Sequence, residues 1–465
     1  MKTKLQKKSY ADKPKNELAC DSSTPQLSLF PLDGKPVTAT FTDDMMSSDG
    51  GLLLIREMEN RLGLISDIAS VITDDRDPRY IHHTFEEILA QRTFQIAAGY
   101  EDANDCDTLR DDPIFKMGVD RQPGQGAPLA SQPTMSRFEN SVSRTDLFRI
   151  ALVFATHFIR SYDKEPSMII LDIDDTDSRT HGDQQQTLFS GHYNEYCYLP
   201  THLYEGISGK LITTILKPGR MAKAADVFAI VRRVITFIRS YWKNTIILFR
   251  GDSHFASHQL MDWAHDKEGI HFITGYNTNE RLKREVENLV QEAKAKYEET
   301  GENVRMYHSI TYKANTWKYP QRVVAKIEYT AKGKNIRYVV TDLKGKRAWK
   351  LYEKDYCGRG RMELNIKDHK TYLKSDRTSC HRFEANQFRL FLHSAAYVLM
   401  HTLKTEVLKE TNLAKATLKS IQLKLIKVAV KVKQYKTRIK LEFPAAVPER
   451  EALTTAFEKF EVMRC

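Results

Sequence analysis

The stretch after Pro166 constrains the fold more than any other part of the chain. Met168–Asp174 is a short apolar strand that ends in acids, and Tyr198–Tyr204 and Leu211–Leu216 read as the next two strands, joined around Gly206 and Gly209. Val227, Ile230, Val231, Val234, Ile235 and Ile238 then recur at i, i+3, i+4 and i+7, the stripe of an amphipathic helix. Thr245–Phe249 returns to a strand, a helix runs from about His258 to Asp266, and His271–Thr274 supplies a fifth strand. The order is three strands, helix, strand, helix, strand. A doubly wound sheet would more often place a helix after its first strand.

This succession predicts an α/β fold with a ribonuclease H-like catalytic core over residues 161–400. A charged helix, Glu280–Glu299, and strands at Arg322–Tyr329 and Asn335–Thr341 read as a β-rich insertion at about 277–345. Residues 1–40 are polar and Lys-rich, with Pro14, Pro25, Pro31 and Pro36, and are expected to form a flexible basic arm. Residues 41–160 read as a helical DNA-binding region. Thr84-Phe-Glu-Glu87 is a capping box that opens a helix ending near Gly99. Ser131–Asn140 starts another, with Pro133 in its first turn; its polar start suits a recognition helix in a DNA groove, and an ordinary capped helix explains it as well. From Lys404 to Lys440 basic residues outnumber acids, and Ile426–Val432 alternates like a strand with one wet face. Residues 401–465 are therefore expected to be a basic C-terminal region for DNA binding or dimerisation.

A chain of 465 residues implies two or three domains. Its net charge of +11 and pI near 9.1 favour a polyanionic partner, nucleic acid before membrane. No apolar segment is long enough to span a bilayer, and the basic start has no apolar stretch behind it, so no signal peptide is read. Six scattered cysteines without C-x-x-C spacing argue against a zinc ribbon and fit a reducing cytoplasm.

Chemistry enters with the acids. In Asp172-Ile-Asp174-Asp175-Thr176, period-two alternation sets Asp172 and Asp174 on one face and Asp175 on the other. Two carboxylates ~4 Å apart repel by about 4 kcal/mol at an effective dielectric of 20, and a divalent cation reverses that sign. Mg²⁺ prefers such oxygen ligands. Asp252 follows Thr245–Phe249 directly, where a neighbouring parallel strand would bring it near Asp174. The third acid stands in Tyr356-x2-Arg359-x3-Glu363-x6-Lys370, whose four side chains fall within a wedge of roughly 60° on an ideal helix. One carboxylate among two cations and a phenol suits a metal ion and a phosphodiester. Gly358 and Gly360 weaken a helix by about 1 kcal/mol each, so the helix is expected to begin near Arg361, with Tyr356 and Arg359 on the approaching loop.

Taken together, Asp174-x-Thr176, Gly251-Asp252-Ser-His-Phe255 and Tyr356/Arg359/Glu363/Lys370 resemble the DDE transposases of bacterial insertion sequences that carry the Tyr-Arg-Glu-Lys signature. The likeness extends to Gly99–Asp105, Ser131–Asn140, His181-Gly182 and Gly191–Pro200. It implies cut-and-paste movement of double-stranded DNA with Mg²⁺, or Mn²⁺ in its place, on Asp174, Asp252 and Glu363. Tyr356, Arg359 and Lys370 would contact the transposon end. Asp172 is the reserve for the first ligand, and Trp317 matches by position the aromatic on which some relatives stack a flipped base, with packing as its ordinary role. The expected reaction cleaves the inverted-repeat ends and joins their 3′-hydroxyls to target DNA by two-metal phosphoryl transfer, with a homodimer on DNA in the bacterial cytoplasm. The alternatives are a nuclease of the same fold without strand transfer, and a non-catalytic DNA-binding protein derived from a transposase. Tyr356 as a covalent nucleophile is the mechanistic rival, disfavoured because a Tyr recombinase has no need of three acids.

Overall fold

The computed structural model describes residues 27–219 and 224–464, and its contacts divide into a unit ending at Met45 and one beginning at Met46. Most of the expected basic arm, residues 1–26, lies outside the described residues. Where the arm continues, Leu27–Leu32 and Lys35–Ala39 pair as an antiparallel hairpin. Asp33 and Gly34 take φ of 51° and 76°, the left-handed pair that a tight hairpin turn of this hand requires.

The second unit is built on an eight-stranded mixed sheet. Its strands are β1 (Met168–Asp175), β2 (Thr201–Glu205), β3 (Leu211–Ile215), β4 (Ile246–Gly251), β5 (Ile270–Tyr276), β6 (Val304–Tyr312), β7 (Gln321–Thr330) and β8 (Gly333–Thr341). They lie in the order β6-β7-β8-β5-β4-β1-β2-β3. β1, β4 and β5 are mutually parallel; on one side β2 runs antiparallel between β1 and β3, and on the other β8 runs antiparallel to β5. The five strands expected from the sequence are thus joined by a three-stranded extension from the segment read as an insertion. One expected strand divides. Tyr198–Tyr204 breaks at Pro200, which has no N–H to give a ladder; Glu195–Tyr198 joins a small ribbon with Ser178–Arg179 and Leu188–Ser190, and β2 starts at Thr201.

Odd-numbered β1 residues Ile169, Leu171 and Ile173 face one core. There they meet Ile247 and Phe249 of β4, and Val227, Val231, Ile235 and Ile238 of helix α1 (Ala224–Tyr241). On the other face Leu248, Ile273, Val324 and Val339 pack beneath Leu351 and Tyr352. Those two residues belong to one continuous helical run, Ala348 to Tyr372, which passes from a π-turn at Leu351–Tyr356 through a 3-10 turn to helix α2 (Gly360–Lys367). The even-numbered residues of β1, Asp172 and Asp174 among them, therefore look toward this helical run.

Helices from Leu52 to Arg160 gather around α3 (Phe383–Thr402), which is buried along nearly its whole length. The helix Phe85–Ala98 has its capping box as expected, Thr84 Oγ1 accepting from Glu87 N, and ends at Gly99 with φ 91°. Gln132–Ser141 buries Met135, Phe138 and Glu139, so the helix weighed as a DNA-reading element packs as a member of the bundle. Glu139 lies between two buried guanidiniums, Arg92 at 3.1 Å and Arg389 at 2.8 Å, and fastens three helices together. The basic C-terminal region returns to the start of the unit: Val430–Gln434 pairs with Ile439–Glu442 and with Met46–Ser47. Gly51 lies so close to that return that an added Cβ would fall 1.9 Å from the Leu425 carbonyl oxygen.

Candidate active site

Register brings the first two acids together. Arg250 of β4 aligns with Asp172 of parallel β1, so Asp252 leaves the sheet beside Asp174, two residues further along each strand. Both carboxylates are partly open, with 19% and 28% of their side-chain surface exposed. They line one cleft of about 130 Å³ with Asp175, His192, Tyr193 and His254. Burial pushes the Asp174 carboxyl up to about 6; Arg359 pulls it down and the nearby Asp252 charge pushes it further up. That coupling is the mark of two acids sharing a small space. Asp252 itself caps the turn that follows, accepting from His254 N at 2.9 Å and sitting 3.0 Å from His254 Nδ1.

The remaining aspartates are each matched to a different cation. Asp172 is fully buried and held in a fork by Arg250, Nε to Oδ1 at 2.6 Å and Nη2 to Oδ2 at 2.7 Å. Burial still holds its carboxyl above the usual range. Its oxygens are committed, which separates it from Asp174 more clearly than alternation did. Asp175 accepts from the single Lys217 Nζ on both oxygens, at 2.9 and 2.7 Å, and from the Thr201 hydroxyl at 2.6 Å. Asp177, unremarked in the sequence, receives Lys370 Nζ at 2.7 Å. Arg359 Nη1 donates to Asp174 Oδ2 at 2.7 Å.

The signature residues thus divide. Tyr356, Arg359 and Lys370 all reach the carboxyl ends of β1, β4 and β5. The Tyr356 hydroxyl stands where a Cβ on Gly275 would come within 2.9 Å, and burial raises its pKa. Glu363 lies one turn beyond Arg359 on α2 and is exposed, with no ion pair among the described residues. Among the described residues no three His, Cys, Asp or Glu side chains converge closely enough to hold a metal ion. The structure brings Asp174 and Asp252 together and leaves Glu363 on the covering helix. Tyr356 and Arg359, expected on a loop, are on helical turns. Gly358 explains why a glycine stands there: a Cβ would meet Arg250 Nη1 at 2.8 Å, and Arg250 also donates to the Asp355 carbonyl at 2.6 Å.

Arg250 is the positioning residue that sequence reading missed. It is the last polar residue before Gly251-Asp252, and it ties β1, β4 and the signature helix to one another. Trp317 is 6% exposed and packs against Tyr276 and Tyr312 at 5.3 and 5.4 Å, so its role is packing.

A mixed sheet thus carries paired aspartates at the ends of adjacent parallel strands, beneath a helical run that holds Arg359, Glu363 and Lys370. The family model described as "Transposase DDE domain group 1" matches residues 30–465, and the chain belongs to this transposase family. Among solved structures, it is similar to a piggyBac transposase in a synaptic complex with hairpin DNA, with a TM-score of 0.45 and 12% identity over 81% of this chain and 80% of that one. No curated protein matches the sequence.

Proposed function

We propose that this chain is a DNA transposase of the bacterial insertion-sequence type bearing the Tyr-Arg-Glu-Lys signature, which cleaves the element's ends and joins their 3′-hydroxyls to target DNA. The observation that carries the reading is the β1–β4 register, which sets Asp174 beside Asp252 beneath Arg359 and Tyr356. The strand order β3-β2-β1-β4-β5 and its directions support a ribonuclease H-like core, extended by β6 to β8.

The donor set fits a hard divalent cation. Asp174 and Asp252 offer only oxygen, repel each other when ionised and remain partly open, while Glu363 is exposed on the helix above. These three residues would hold Mg²⁺, with Mn²⁺ as a substitute. Divalent ions bound there supply activation of the attacking oxygen and stabilisation of the leaving one in an in-line displacement at phosphorus. The chain's own groups do the rest. Arg359 and Lys370 neutralise and orient phosphate oxygens, the first as a planar fork and the second as a point charge. Tyr356 donates to phosphate from its half-buried position. Arg250 keeps the helix in register with the acids. Both ends must be processed together, so the working form is a homodimer on DNA, in the cytoplasm.

The test supplies a pre-cut duplex, ending in the inverted repeat that flanks the coding region, with a free 3′-hydroxyl, Mg²⁺ and a target plasmid. Covalent joining supports transposition. Cutting of intact ends without joining of pre-cut ones would make the protein a nuclease.

A further inference from the structure

Two clamps fix the helical run that carries the signature residues, and Arg250, which reaches the Asp355 carbonyl, is only the first. The second lies on the other side of β1, at the far end of the run. Antiparallel register sets Tyr204 and His202 of β2 opposite Asp172 and Asp174. Residues directly opposed in a ladder share a face, so both rings point, as the acids do, toward the run. The Tyr204 hydroxyl lies 2.9 Å from His369 Nδ1, and both side chains are fully buried. His369 immediately precedes Lys370 on the π-turn Asp368–Tyr372.

The contacts of His369 leave it one arrangement. Burial keeps the imidazole neutral, with a pKa well below its usual range. Ser394 of α3 gives its hydroxyl hydrogen to the Leu390 carbonyl at 2.7 Å, so its oxygen accepts from His369 Nε2, 3.4 Å away. Nδ1 is therefore the acceptor for the Tyr204 hydroxyl. The ring stacks on Tyr397 with centroids 5.2 Å apart and meets His202 edge-on at 4.9 Å. Its carbonyl accepts from Ser375 N at 3.2 Å, and the adjoining Asp368 carboxylate accepts from Leu418 N at 3.2 Å. Lys370, by contrast, is a flexible stem whose ammonium lies 2.7 Å from Asp177 Oδ1. A π-turn carries one residue more than an α-turn, and a slip of one residue swings a side chain by roughly 100° about the helix axis. The direction in which Lys370 leaves the run is thus set by its neighbour.

We infer that His369, held by Tyr204, is the positioning residue that aims Lys370 at the phosphate of the DNA end. The inference rests on the proposed role of Lys370 as a contact to that end, and adds the groups through which the lysine is placed. Because Tyr204 is laddered to Asp172, the anchor ties Lys370 to the strand that carries Asp174. His369 is sealed from solvent and acts only through the residue that follows it.

The test measures binding of the full chain to a labelled duplex ending in the inverted repeat that flanks the coding region, by anisotropy at fixed Ca²⁺ and varied KCl. Tyr204→Phe and His369→Phe keep the ring packing and lose the hydrogen bond between them. Each should lower the slope of log K against log salt by about 1, and the affinity at 0.1 M salt by about tenfold, the worth of one phosphate contact. Adding Lys370→Ala to either should weaken binding no further, since both changes remove the same contact. His369→Asn, whose side-chain oxygen can accept where Nδ1 does, should restore the slope. A merely structural role would lower the melting temperature of these variants without moving the slope. Tyr204→Phe, which removes a single oxygen, carries the test if His369→Phe does not fold. A lowered slope in Lys370→Ala with a parental slope in Tyr204→Phe and His369→Phe would overturn the inference alone, as would losses that add in the combined variants. A parental slope in Lys370→Ala itself would sink the assigned role of Lys370 and the inference with it.

Discussion

Replacing Arg250 by Met should be the most damaging single change near the site, and the cost can be worked from its contacts. The guanidinium and Asp172 are 4% and 0% exposed, and their two hydrogen bonds are 2.6 and 2.7 Å long. With charge centres ~4 Å apart the attraction is about 4 kcal/mol at an effective dielectric of 20. Removing one partner of such a buried pair costs about 3–5 kcal/mol, mostly because the other is left charged and dry. The bond to the Asp355 carbonyl is lost as well and adds about 1 kcal/mol. Urea denaturation of the full chain followed by circular dichroism should therefore place Arg250→Met about 5 kcal/mol below the unaltered protein. The double variant Arg250→Met/Asp172→Asn should recover a large part of that loss, since the uncompensated charge is gone. A single variant within 1 kcal/mol of the parent, or a double variant no better than the single, would refute the claim that this pair clamps the site.

Other consequences follow from particular contacts. Gly51→Ala should destabilise the chain by about 1–3 kcal/mol in the same assay, because its Cβ would strike the Leu425 backbone. Trp317→Ala should cost about 3–5 kcal/mol while leaving retention on a DNA column unchanged, as befits a core side chain. Burial raises the Glu59 carboxyl from 4.5 to about 8, against backbone bonds from Ile65 and Ser66 that pull it down. The folded state thus favours the neutral form: its stabilising contribution is complete below pH ~4.5 and is lost as pH rises through about 8. Glu59→Gln should match the parent at pH 4.5 and exceed it by on the order of 2–4 kcal/mol at pH 8.5, checked by thermal melts across that range. Lys370→Ala should weaken DNA binding and lower the slope of log K against log salt by about 1, measured by fluorescence anisotropy.

The sheet and half of the site were legible because their signals are local. An apolar run ending in acids declares a strand end, and Thr84 with Glu87 declares a helix start. What escaped depends on distant partners. β6, Val304–Tyr312, carries mostly part-exposed or exposed residues and holds its place through its ladder with β7, which no local pattern announces. The ribbon at 178–198 has strands of two to four residues, too short for any periodicity to show. The helical run around Tyr356 continues through Gly358 and Gly360 despite their propensity cost of about 1 kcal/mol each; the close passage over Arg250 calls for glycine at 358 only. Alternation kept Asp172 in reserve beside Asp174; only the Arg250 fork shows that its oxygens are engaged.

Catalysis here turns on whether Asp174, Asp252 and Glu363 form one cation site. Mn²⁺ binding to the full chain with duplex DNA present, read by electron paramagnetic resonance, addresses that without requiring turnover. Asp174→Asn, Asp252→Asn and Glu363→Gln should each weaken Mn²⁺ binding by on the order of 10–100-fold or more. Binding by Glu363→Gln as tight as that of the parent would remove Glu363 from the site and contradict the central claim.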